Sequence, residues 1–146
     1  MSARHEDARV ARVVAMFESI TQADVSRLGE FYAVDARFKD PFNDVRGVPA
    51  IERIFAHMFV ALDSPRFVVR DIVAEGDQCF LTWDFLFRFR RFSREEQVVH
   101  GGSHLRFDAQ GRVVLHRDYW DAAEELYEKL PGIGAFMRFL KRRANS

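Results

Sequence analysis

The feature that most constrains this chain is a switch in the spacing of its apolar residues near Arg66, from three-and-four to strict alternation. Upstream, Val10, Val13, Val14, Phe17 and Ile20 fall on one face of a helix, with charged residues opposite. A second, shorter helix is expected over 26–34, with Leu28, Phe31 and Tyr32 turned inward. Pro41 forces Asp40 out of helical geometry, so 38–42 reads as a short extended piece. Gly47 and Pro49 then open a third helix, whose apolar face is Ile51, Ile54, Phe55, Met58 and Leu62. Downstream of Arg66, strands are predicted over 67–74, 78–90, 97–107 and 112–120. Tight turns at 75–77 and 108–111 and a charged hairpin tip at 93–95 join them. The tail reads as helix over 122–130, a break at Pro131 to Gly134, and a further turn or two over 135–143. Helices followed by an antiparallel meander imply an α+β domain whose curved sheet wraps around the helices, with a concave and a convex face. A single domain over 1–146 accommodates all of it.

Charge and cysteine content narrow the partners. Lys plus Arg number 22 and Asp plus Glu 22, so no global field favours nucleic acid or a membrane surface. An apolar small molecule or another protein is the expected partner. Cys79 is the only cysteine, which excludes an internal disulfide framework and a cysteine zinc site, and a reducing cytoplasm is the expected location. The N-terminal MSARHEDARVARVV has neither signal-peptide nor membrane-span character. Fifteen Phe point to an aromatic-lined cavity, a hydrophobic oligomer face, or both.

Against this background two aspartates are out of place. Asp84 interrupts CFLTWDFLFRF and Asp118 sits in VVLHRDYW, and strand interiors are poor in this residue. A carboxylate in such surroundings needs a partner or a raised pKa, and perturbed carboxylates mark sites of chemistry. Alternation puts Phe80, Thr82, Asp84 and Leu86 on one face of their strand, and Val114, His116, Asp118 and Trp120 on one face of theirs. Both aspartates are therefore expected to face one cavity, where mutual repulsion would raise the pKa of one. The reverse faces, Trp83, Phe85, Phe87 and Phe89 with Val113, Leu115 and Tyr119, would be convex and would form a homodimer interface. His116 shares the face of Asp118, placed either to orient it and share its proton or to fill the core. His100 and His104 lie about 13 Å apart on a strand, too far for one metal unless Gly101 and Gly102 bulge it. No phosphate loop, Ser-His-Asp order or metal cluster is visible, so cofactor-independent, metal-free chemistry is expected.

The order of elements, with AVDARFKDPF, the GVPAI helix start and GRVVLHRDYWD, resembles the nuclear transport factor 2-like superfamily, and within it the SnoaL-like and ketosteroid-isomerase-like branch. The resemblance runs from about Val10 to Trp120 and implies a cone-shaped roll with three helices in the concave face of the sheet. In ketosteroid isomerases the aspartate before proline is the general base, here Asp40, while the two oxyanion-hole positions fall on Met16 and Ser103, so the hole is absent. In limonene epoxide hydrolases an Asp-Arg-Asp set activates water; Asp84 and Asp118 match the carboxylates and Thr82 replaces the arginine. SnoaL-type polyketide cyclases place an acid/base aspartate at the position of Asp118. The resemblance thus implies an isomerase, cyclase or hydrolase using Asp118, Asp84, Asp40 and His116, with Met16, Phe17, Phe38, Phe55, Thr82, Ser103 and Trp120 around an apolar substrate. The alternative is a non-catalytic ligand-binding or dimeric accessory module of the same fold.

Overall fold

The computed structural model describes residues 5–90 and 95–125. Most of the hairpin tip expected at 93–95, and the tail expected beyond residue 125, lie outside the described residues.

Helix α1 (Ala8–Ser19) begins where Asp7, extended at the N-cap, accepts the backbone N–H of Arg9 at 2.9 Å. Its buried face is Val10, Val13, Val14 and Phe17, as the spacing predicts, with Met16 beside them. The second helical segment differs from expectation. It is a 3₁₀ helix over Gln22–Glu30, and Tyr32 already belongs to strand β1 (Tyr32–Lys39). In β1, Tyr32, Ala36 and Phe38 are buried, so of the residues read as a helix face Tyr32 serves a strand, while Leu28 is buried in the 3₁₀ helix as expected. A short strand β2 (Asp44–Arg46) returns antiparallel to β1 across a turn held by Asp40, whose Oδ1 accepts the N–H groups of Phe42 and Asn43. Gly47, at φ 95°, takes the left-handed backbone that lets helix α2 (Val48–Ala61) start directly after β2, with Pro49 in its first turn.

Strands β3 (Leu62–Glu75), β4 (Gln78–Phe89), β5 (Gln97–Phe107) and β6 (Val113–Tyr119) form the predicted meander, followed by one helical turn, α3 (Ala122–Glu125). The six strands make one curved sheet in the order β2-β1-β6-β5-β4-β3. All pairs are antiparallel except β1 with β6. That parallel pair brings the end of the helical half beside the last strand and closes the roll, setting Phe38 opposite His116. Helix α1 packs on β3, and α2 lies against the 3₁₀ helix, β1 and β3, so the helices fill the concave side. Among the described residues no helix is long and apolar enough to cross a membrane.

Candidate active site

Cross-strand register decides which residues meet. Leu81 pairs with Ser103, and Ser103 pairs with Asp118, so these three side chains share the concave face. Alternation along β4 then puts Trp83, Phe85, Phe87 and Phe89 on that face, where they line a cavity of about 770 Å³ between the sheet and α2. This corrects the expectation that the aromatic stripe is convex and forms an interface. Its physical reason is that the cavity wall and the helices are themselves the apolar surroundings such a stripe requires.

Asp84 consequently lies on the opposite, convex face, and the two aspartates do not share a cavity. Its Oδ1 is 2.6 Å from Nδ1 of His100 and its Oδ2 is 2.6 Å from Arg70. Arg70 reaches it because a bulge between Val69 and Asp71 re-aims the strand. Hydrogen bonding to His100, then to Arg70, holds the Asp84 carboxyl below the usual carboxylate range, opposite to the expected rise. Thr82 is on the same convex face, donating to Asp71 at 2.9 Å and accepting its backbone N–H. Neither Asp84, Thr82 nor Met16 lines the cavity. Asp40, Phe17, Phe38, Phe55, Ser103, His116, Asp118 and Trp120 do.

At the deep end, three elements build one hydrogen-bonded chain. Ser103 donates its hydroxyl to Asp118 Oδ1 at 2.5 Å, and Nε2 of His116 lies 2.6 Å from the same oxygen. Nδ1 of His116 is 2.7 Å from the hydroxyl of Tyr32, which is 1% exposed. Burial, and secondarily the charge of Asp118, push the Tyr32 phenol well above its ordinary value, so it stays neutral as it bonds to Nδ1. Facing a carboxylate oxygen, Nε2 of His116 carries a hydrogen and donates it to Asp118. Phe38 and Phe17 pack on the imidazole at centroid distances of 4.6 and 5.4 Å. Both donors use Oδ1, and Asp118 keeps 14% side-chain exposure toward the cavity. Among the described residues no buried side-chain polar atom lacks a partner.

Elsewhere the geometry points away from chemistry. Asp40 sits at the cavity mouth, but its Oδ1 is occupied by the turn that joins β1 to β2. His104 bonds to Gln78 at 2.8 Å, and His100 to Asp84. Gly101 and Gly102 do not bulge β5, whose pairing with β4 runs without a break. No group of three or more His, Cys, Asp or Glu converges for a metal among the described residues. Burial pushes the Cys79 thiol up to about 11, too high for a nucleophile at neutral pH. Sequence reasoning missed two partners of the site, Tyr32 and Trp83. It gave the first to a helix and the second to the outer face; counting β4 from its pairing with Ser103 recovers Trp83.

The family model of the SnoaL-like domain matches residues 13–116. A search of curated proteins found no match to the sequence. Among solved structures, a protein from Catenulispora acidiphila with a ketosteroid isomerase-like fold, bound to trimethylamine, superposes with a TM-score of 0.71 at 14% identity, covering 84% of this chain and 92% of that one. A candidate polyketide cyclase from Acidithiobacillus ferrooxidans gives 0.70 at 15% identity, over 87% and 97%. An epoxide hydrolase of limonene-hydrolase type from M. tuberculosis gives 0.68 at 17% identity, over 88% and 94%. At these identities the likeness is one of fold.

Proposed function

Since the chain belongs to the SnoaL-like domain family, we propose that it is an enzyme of isomerase or cyclase type in which Asp118 moves a proton on an apolar small molecule. The observation that carries this reading is the Asp118 carboxylate lining an aromatic cavity, with Ser103 and His116 both bonded to Oδ1 and no bond to Oδ2 among the described residues. Asp118 Oδ2 takes a proton from the substrate, forming an O–H bond as the substrate's bond to that hydrogen breaks. Ser103 and His116 hold the group in place, and Asp118, its new O–H exchanging with solvent on part of the turnovers, returns a proton to another atom of the substrate. Phe17, Phe38, Phe55 and Trp120 exclude water around the reacting carbon framework.

A hydrolase built on paired carboxylates is less favoured, because Asp84 and Thr82 face the other side of the sheet. The neighbour bound to trimethylamine supports a small-molecule ligand in general, as does a further structure of the same fold, TerC, co-crystallised with polyporic acid. The test begins with native mass spectrometry of the protein as purified, which identifies a retained ligand class, followed by turnover of that class. Asp118→Asn is expected to lower turnover about 10²- to 10⁴-fold while binding persists. Unchanged turnover in that variant overturns the assignment. Binding with no turnover in either protein favours the ligand-binding module.

We also propose a homodimer through the convex face, supported by the adjacent exposed side chains Val73, Phe80 and Tyr119, with Phe80 and Tyr119 rings 6.3 Å apart. Light scattering decides it. A dimer that Phe80→Glu dissociates without unfolding is expected, and a concentration-independent mass near 17.0 kDa contradicts it.

A further inference from the structure

We infer that Trp83 is a positioning residue for Asp118, acting through Ser103, and that Gly101 is the seat that allows it. The inference deepens the proposed role of Asp118 and rests on that reading. Indole Nε1–H is a donor only, and it donates to Ser103 Oγ at 2.8 Å. The Ser103 oxygen is therefore engaged as an acceptor, and its single proton is directed to Asp118 Oδ1. On the other side Tyr32 bonds to Nδ1 of His116, whose Nε2 meets the same oxygen. Asp118 is held between two polarised arms, one ending in an indole and one in a phenol, and both arms converge on one oxygen.

The indole can lie there because β5 carries no side chain beneath it. A Cβ at Gly101 would stand 2.5 Å from Cη2 of Trp83 and 2.9 Å from Cζ2 and Cζ3, closer than real contacts allow. Gly101 and Trp83 are direct cross-strand partners, so the benzene ring of the indole covers the bare glycine backbone while its pyrrole edge reaches Ser103, two residues on. Phe67 meets the same indole edge-on at 5.5 Å and limits its movement on the other side. Any residue larger than glycine at position 101 must displace a 6%-exposed ring that roofs the cavity and breaks its bond to Ser103.

The test reads the two indole N–H resonances of ¹⁵N-labelled protein against pH, with no substrate present; Trp120→Phe identifies the signal of Trp83. The titratable groups facing Asp118 are His116 from its own strand and Tyr32 from β1, with Asp40, Arg53 and His57 farther off around the cavity. The Trp83 signal is expected to follow a transition that Asp118→Asn removes. Gly101→Ala should abolish that transition and speed exchange of the indole proton at least tenfold, leaving the Trp120 signal in place. Ser103→Ala adds no atom and cuts the same link, so it decides the question where Gly101→Ala does not fold. A Trp83 signal insensitive to pH in wild type, or unaltered by Asp118→Asn or by Ser103→Ala, overturns the inference. Coupled indole signals together with full turnover in Asp118→Asn would overturn the proposed chemistry alone.

Discussion

At the scale of single residues, Asp118 differs from the other aspartates in what its partners leave undone. Asp84 pairs with Arg70 and bonds to His100, and Asp40 caps a turn, whereas the bonds to Asp118 among the described residues, from Ser103 and His116, both fall on one oxygen. Tyr32 is the hidden member of that arrangement. Tyr32→Phe leaves Nδ1 of His116 buried without its partner and is expected to cost about 1–3 kcal/mol, seen as a lower urea midpoint at unchanged slope. An unshifted midpoint would mean that the hydroxyl is not bonded to the ring. The same geometry argues against steroid isomerisation. Met16 is off the cavity and the Ser103 proton is committed to Asp118, so a dienolate oxygen finds neither of the two expected donors. Each missing donor costs about a hundredfold or more, and turnover of a Δ5-3-ketosteroid is expected to be at background. Robust turnover would show that a donor enters the cavity from elsewhere.

Elements were legible in the sequence wherever one side of them meets water. Helices α1 and α2 and strands β3 to β6 follow from apolar period, Pro49 and the turns around Gly76 and Gly111. Two errors have separate causes. Tyr32 was given to a helix because its strand pairs with β6, far along the chain. Trp83 with Phe85 and Phe87 was given to the outer face although β4 pairs with its neighbours in sequence. Local spacing tells which residues share a face, but not which face is inside. That depends on the side of the sheet on which the helices pack. The cap of α1, by contrast, is local and gives a pH prediction. Hydrogen bonding to Arg9 pulls Asp7 down to about 2, so its stabilising effect is complete above about pH 4 and is lost as pH falls towards 2. Asp7→Ala is expected to cost about 1 kcal/mol at neutral pH, with the gap to wild type closing across that window in melting experiments. A gap that stays constant down to pH 2 would mean that the charge of Asp7 contributes nothing.

At the scale of the whole molecule, the roll separates two chemistries by the thickness of one sheet. The convex side carries exposed ion pairs such as Arg70 with Asp84, and the concave side holds the aromatic cavity with Asp118 at its deep end. The resemblance of motifs to the SnoaL-like branch carried the fold and the position of Asp118. It could not carry Asp84, because the hydrolase pattern depends on an arginine at position 82 that this chain replaces with threonine, which bonds instead to Asp71. In the proposed chemistry Asp118 exchanges a proton with a molecule held in the cavity. Its most direct test is deuterium wash-in: the retained ligand, identified by mass, is incubated with protein in D₂O and its isotopic mass followed. Wild type is expected to place deuterium at a carbon of the ligand or its product, and Asp118→Asn to bind the same molecule with exchange slowed at least a hundredfold. Equal exchange in the two proteins, or a bound ligand that takes up no deuterium in wild type, would contradict the claim.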